Sequence, residues 1–218
     1  MIQLKNITKT YNETTALNNI NLQFNEGELI VLKGASGSGK STILSLIAGL
    51  NKPTSGEVIV DNKKVSKLAD NFASLYRREN IGFIFQKYNL IQNLTVKENI
   101  ALPLIPNNPD EKELESLLAS VMEKFHIVHK KDIIVKNLSG GEQQRVAIAR
   151  ANINNPKIII ADEPTANLDE KLSLHFIEVL KNLKESNKTI VVATHDPIFF
   201  NLDFVDKIIE IHNGNILA

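Results

Sequence analysis

The mostly apolar run Glu28-Leu29-Ile30-Val31-Leu32 leads directly into Gly34-Ala35-Ser36-Gly37-Ser38-Gly39-Lys40-Ser41. Behind Lys40, the residues Ile43, Leu44, Leu46 and Ile47 recur at helical spacing. The first run reads as a buried strand and the last as a helix with one buried face, closed by Gly49 at the C-cap. A glycine-rich turn between a strand and a helix N-terminus commits the chain to an α/β core. It also converges backbone N–H groups on one small volume, which suits anionic oxygens. The turn fits the pattern G-x-x-x-x-G-K-[ST]. On that pattern, residues Gly34 to Thr42 form a phosphate cradle. Lys40 reaches the β- and γ-phosphates of a nucleoside triphosphate, Ser41 is a ligand for Mg²⁺, and Thr42 adds a hydroxyl to the α-phosphate.

A second buried strand ends in acid. Four apolar residues, Ile158-Ile159-Ile160-Ala161, precede Asp162-Glu163, so two carboxylates stand at the strand's C-terminal end, where open α/β sheets bind ligands. Asp162 there would hold Mg²⁺ and Glu163 would take a proton from an attacking water. Taken alone, the pair also fits an ordinary acidic turn, because Pro164 and Asn167-Leu168-Asp169 read as the start of a helix running from about Glu170 to Lys184.

Between these stations lies Leu138-Ser139-Gly140-Gly141-Glu142-Gln143 at the head of a helix reaching Ala151. It offers a hydroxyl and free backbone N–H groups; read locally, it is a serine N-cap followed by flexible glycines. With the cradle before it and the acid pair after it, this hexapeptide resembles the signature of the ATP-binding-cassette (ABC) family, and the resemblance extends over the whole chain. It implies ATP and Mg²⁺ as the bound species. The fold it implies is an α/β P-loop NTPase core, a largely parallel mixed sheet with flanking helices, carrying an N-terminal antiparallel β part and an α-helical insertion. The chain is expected to be a single domain over 1–218, with a core at 1–86 and 156–218 and a helical subdomain at about 87–155.

The resemblance also distributes roles. Tyr11 stacks on adenine. Gln86, in Phe83-Ile84-Phe85-Gln86, touches Mg²⁺ and the lytic water and communicates with a transmembrane partner. His195, after the buried run Thr189 to Thr194, contacts the γ-phosphate and orients the water, completing a catalytic set of Lys40, Gln86, Glu163 and His195. Ser139, Gly140 and Gly141 cover a nucleotide held by a second subunit, and Asp169 communicates across that interface. The Asp169 loop reads Ala166-Asn167-Leu168-Asp169, where the family more often has Ser-Ala-Leu-Asp; the acid is kept. His126, His129, His175 and His212 have no comparable context.

Composition restricts the remaining classes. The chain has 218 residues, no cysteine and 25 basic residues against 25 acidic ones. Disulfides and cysteine chemistry are excluded, and the neutral balance gives no basic footprint for nucleic acid. No stretch approaches the roughly 18 apolar residues of a spanning helix, and Ile2-Gln3-Leu4 reads as a strand, so no leader is expected. Glu111 to Phe125 carries a helical apolar face, Asp61-Asn62 reads as a hairpin turn after Val58-Ile59-Val60, and Lys207 to Ile211 reads as a late strand before an Asn213-Gly214 turn. The chain is expected to end without an appended regulatory domain.

The stretch from Arg77 to Gln86, followed by Asn89-Leu90 and by Leu94 to Leu104, resembles the branch of lipoprotein-releasing, macrolide-export and antimicrobial-peptide-export ATPases, together with a cell-division ATPase. The resemblance implies a head-to-tail homodimer that drives a separate transmembrane permease from the cytoplasmic face of the membrane, for export or extrusion. A regulatory ATPase of cell division or cell-wall remodelling is the alternative, and a solute importer a lesser one; soluble repair and translation ATPases fit neither the length nor the charge. The permease is expected to dock around Gln86 to Leu104, where Tyr88, Leu90, Ile91 and Leu94 are either exposed anchors or core.

Overall fold

The chain opens with an antiparallel pair, β1 (Ile2–Tyr11) and β2 (Thr14–Phe24), as seen in a computed structural model that describes residues 1–166 and 168–217. Asn167, the departure in the loop before Asp169, and Ala218 lie outside the described residues. Strand β3 (Leu29–Lys33) then leads through the glycine turn into helix α1 (Lys40–Ile47). The hairpin β4 (Ser55–Val60) and β5 (Lys63–Lys64), helix α2 (Asp70–Asn80) and strand β6 (Ile81–Ile84) follow. Helices α3 (Val96–Ala101), α4 (Glu111–Lys124) and α5 (Gly140–Asn152) come next. The chain closes with β7 (Ile158–Asp162), α6 (Glu170–Glu185), β8 (Thr189–Thr194), β9 (Lys207–His212) and β10 (Asn215–Ile216).

Two sheets result. The first is antiparallel, in the order β2-β1-β4-β5; the second runs β10-β9-β3-β8-β7-β6 and is parallel except at β10. The continuous apolar runs of β3, β7 and β8 are explained by burial on both faces. Ile30, Leu32, Ile158, Ile160 and Val191 point into a core shared with α1 and the antiparallel sheet. Their neighbours Leu29, Val31, Ile159, Ala161 and Val192 point the opposite way, into a core shared with α3, α4, α5 and α6. Helix α1 therefore lies between two sheets, and this is why Ile43, Leu44, Leu46 and Ile47 are all buried.

Turn chemistry fixes the connections. Asp61 and Asn62 both adopt positive φ (46° and 62°), as a two-residue hairpin with the twist of its strands requires, and Asn213-Gly214 repeats the device before β10. Helix α2 lies within the 1–86 part of the core and is an element that the sequence motifs do not announce. It buries only Ala73 and Tyr76 and leaves Phe72 and Leu75 exposed, so its one-sided pattern sits in a short, mostly polar segment with Asp70, Arg77, Arg78 and Glu79.

Candidate active site

The cradle's backbone accepts only glycine at two points. A Cβ at Gly34 would lie 2.3 Å from the carbonyl oxygen of Ile211, and Gly39 has φ 111° with a Cβ position 2.7 Å from the Ala16 carbonyl oxygen. Gly39 also starts α1 without a side-chain cap, and no acidic residue occupies the first turn. The helix N-terminus thus keeps its positive end for an outside anion, which fits a phosphate group.

Lys40 is 4% exposed and crosses the loop. Its Nζ donates to the carbonyl oxygens of Gly34 at 2.7 Å and Ala35 at 3.0 Å, and lies 3.3 Å from Glu163 Oε1. The neighbouring Ser41 Oγ donates to Asp162 Oδ1 at 3.0 Å across 121 positions of sequence. Two hard oxygen donors meet there, a set suited to Mg²⁺. Burial holds the Asp162 carboxyl above the usual carboxylate range, and the charge of Glu163 adds to it; the Ser41 hydroxyl and Lys40 act in the other direction.

Glu163 stands just past the end of β7 at φ 42°, its N–H donating to the Ala193 carbonyl oxygen at 2.8 Å. That positive φ turns the side chain away from the strand's alternation. Glu163 thereby reaches the phosphate-loop cavity, to which its neighbour Asp162 is joined through Ser41. Glu163 Oε2 is 3.0 Å from His195 Nδ1 and accepts the His195 backbone N–H at 3.3 Å. One carboxylate is therefore held between an ammonium and an imidazole. Behind it, Thr165 Oγ1 donates to Asp196 Oδ2 at 2.7 Å and ties the loop after Glu163 to the loop after His195.

Lys40, Ser41, Glu163 and His195 share a cavity of about 220 Å³ that is also lined by Ala16, Ser36, Gly37, Gly39, Thr42 and Gln86; Gly34, Ala35, Ser38 and Asp162 do not line it. Ala16 had no signal in the sequence, since a lining alanine shows itself only through the register of β2. The other four histidines do not line the cavity.

Tyr11, Ser139, Gly140, Gly141 and Asp169 do not line it either. Tyr11 is the last residue of β1, 43% exposed, with Lys9 Nζ 4.7 Å from its ring centroid. Ser139 is the N-cap of α5 in a reciprocal capping box with Glu142. Asp169 is the N-cap of α6, its carboxylate accepting the Leu172 N–H at 2.8 Å. A Cβ on Gly141 would fall 2.7 Å from a Leu172 methyl group, so the signature glycine and the first turn of α6 pack together. Glu142 also pairs with Lys130 at 3.1 Å, a partner that the sequence reading missed. The Ser139 backbone N–H is the main influence holding the Glu142 carboxyl down to about 2, with Lys130 and the Ser139 hydroxyl adding to it against the cost of burial.

The stretch after Gln86 divides. Leu90 is buried, Ile91 is exposed, and Tyr88 and Leu94 are half-buried. Tyr88 and Asn89 take positive φ, and Arg150 at the end of α5 donates to both of their carbonyl oxygens at 2.6 Å. Beside this loop is a cavity of about 380 Å³ whose lining includes Arg77, Arg78, Arg150, Phe83, Phe85 and Pro106. Phe83 and Phe85 stack with centroids 4.1 Å apart.

Known proteins resemble this chain over its full length. The sequence model of the ABC transporter family matches residues 17–166. The macrolide export ATP-binding/permease protein MacB of Campylobacter jejuni is 42% identical over all of this chain, which spans 34% of that protein. The lipoprotein-releasing system ATP-binding protein LolD of Buchnera aphidicola is 37% identical over 99% of this chain and 96% of its own length. A dimeric structure of the ATP-binding cassette MJ0796, in a post-hydrolysis state bound to ADP and Pi, superposes with a TM-score of 0.92 at 43% identity, covering 100% of this chain and 97% of that one.

Proposed function

The chain belongs to the ABC transporter family as an ATP-hydrolysing cassette, and from that premise we propose that it is the motor of a membrane exporter or extruder, pairing head to tail with a second copy to drive a separate permease. The observation that carries the catalytic part is the Glu163 carboxylate, held 3.3 Å from Lys40 and 3.0 Å from His195 beside the phosphate loop. Glu163 is the general base for the attacking water, and His195 orients both that carboxylate and the γ-phosphate. Lys40 leaves the carbonyls of Gly34 and Ala35 to bind the β- and γ-phosphates, while the loop amides and Thr42 bind the rest of the triphosphate. Ser41, Asp162 and Gln86 would hold Mg²⁺, which when bound supplies charge neutralisation for the phosphates. Tyr11 offers its exposed ring to the base.

Ser139, Gly140 and Gly141 stand outside the cavity of their own chain, and this supports a reading in which they serve the nucleotide of the partner subunit, with Asp169 beside them. The dimeric state of the MJ0796 cassette and the names of the MacB and LolD relatives support the dimer and the export assignment. No helix among the described residues is long and apolar enough to cross a membrane. The permease holds the chain at the cytoplasmic face, and the groove lined by Phe83, Phe85 and Asn89 is its docking place.

Sedimentation of a Glu163→Gln variant tests the catalytic and dimer assignments together. Losing the base costs about 10²–10⁴-fold in turnover, and the variant should pair when ATP is in excess. Retained hydrolysis would remove Glu163 from its role, and a persistent monomer would remove the dimer. Affinity purification from detergent-solubilised membranes tests the export assignment: a permease with a large extracytoplasmic domain supports it, and an uptake permease with a solute-binding protein overturns it.

A further inference from the structure

Helix α5 begins with an electrostatic conflict. Its N-terminus is where an incoming phosphate would use the positive end of the helix dipole, yet Glu142 places a full negative charge in the first turn. That carboxylate also engages the signature serine directly: Glu142 Oε2 accepts the Ser139 N–H at 2.8 Å and the Ser139 hydroxyl at 2.9 Å. The hydroxyl proton thus belongs to the carboxylate, and a phosphate oxygen must compete for it.

The other carboxylate oxygen resolves the conflict. Glu142 Oε1 lies 3.1 Å from Lys130 Nζ, and among the described residues no other cation pairs with Glu142. Lys130 comes from a 3₁₀ turn, Val128–Lys130, between α4 and α5; the Ile133 N–H donates to the Lys130 carbonyl oxygen at 2.9 Å and holds that turn. The pair is half-buried, with side-chain exposures of 35% for Lys130 and 16% for Glu142.

We propose that Lys130 is a positioning residue for the signature serine: its ammonium neutralises Glu142 and fixes the carboxylate's orientation, so that α5 presents a hydroxyl and amides to the second subunit's triphosphate without an uncompensated negative charge. Drawing charge to Oε1 also weakens Oε2 as a competitor for the Ser139 proton. The inference rests on the reading that the signature meets a partner's nucleotide.

The test uses the full chain carrying Glu163→Gln as an ATP trap and measures the ATP concentration that gives half dimer, by sedimentation. Lys130→Met should raise that concentration roughly tenfold, and Lys130→Arg should restore it. Adding Glu142→Gln to Lys130→Met should remove most of the penalty, because a glutamine still caps Ser139 but carries no charge to neutralise. Binding of a fluorescent ATP analogue to dilute monomer should be the same in every variant, since the cradle is untouched. Lys130→Met pairing like the parent overturns the proposal, as does a penalty that neither Lys130→Arg nor Glu142→Gln relieves. The parent trap itself failing to pair would overturn the dimer reading, and this proposal with it.

Discussion

Replacing Asn99 with alanine removes a side chain that is fully buried in α3 and organises the loop before it. Its amide oxygen accepts the Ile91 N–H at 2.8 Å, and its NH₂ donates to the carbonyl oxygens of Ile91 at 3.0 Å, Thr95 at 3.1 Å and Leu94 at 3.4 Å. The carbonyls have other donors: Leu94 N–H serves Ile91, Val135 N–H serves Leu94, and Asn99's own N–H serves Thr95. The Ile91 N–H is therefore the main group orphaned. Losing two or three good hydrogen bonds at about 1 kcal/mol each costs about 2–3 kcal/mol. Alanine's better helix propensity returns about 0.5 kcal/mol. The expected loss is about 2 kcal/mol, which at a urea slope of about 3 kcal/mol/M moves the midpoint down by about 0.7 M. Urea unfolding followed by circular dichroism measures it. Asn99→Asp sharpens the test, because it keeps the acceptor but sets a buried carboxylate against three carbonyls. Burial would raise that carboxyl's folded pKa, so its penalty should be largest at pH 7 and shrink as the pH is lowered toward 5. An Asn99→Ala midpoint equal to the parent's, or an Asn99→Asp penalty that does not change with pH, would refute the reasoning.

Three further outcomes follow from particular contacts. Thr165→Val should lower stability by about 2 kcal/mol, since it removes a 2.7 Å hydrogen bond to the Asp196 carboxylate; it should also reduce kcat, because that bond ties the loops carrying Glu163 and His195. Unchanged steady-state ATP hydrolysis would count against the tie. Tyr76→Phe should cost about 1 kcal/mol in urea unfolding, for the buried hydroxyl donates to the Ile47 carbonyl oxygen at 2.9 Å and joins α2 to α1. The Glu142 carboxyl, held down to about 2, should stay ionised well below the free glutamate value of about 4.3 when its ¹³C shift is followed by NMR. A lowered folded pKa means that its contribution to stability is complete above the unfolded value and disappears as pH falls toward 2. Titration near 4.3 would show that the capping box and Lys130 do not hold it.

The sequence by itself determined what depends on neighbouring residues. A strand, a glycine turn and a helix start are written in Leu29 to Ile47 because φ preference, strand burial and helix periodicity act within a few positions. Paired positive-φ residues at Asp61-Asn62 are legible for the same reason. Helix α2 is harder to read, because its one-sided apolar pattern is confined to a short, mostly polar segment that buries only Ala73 and Tyr76. Leu90 and Ile91 look alike in sequence, yet one is core and the other exposed, a difference set by packing and by the Asn99 side chain. Tertiary structure alone decided the contacts that span long separations: Ser41 with Asp162, Glu163 with His195, Thr165 with Asp196, and Lys130 with Glu142. Ion pairs and hydrogen bonds of that kind have no local propensity. They exist because β3, β7 and β8 lie side by side with their C-terminal ends together, and because the turn after α4 folds back on the head of α5.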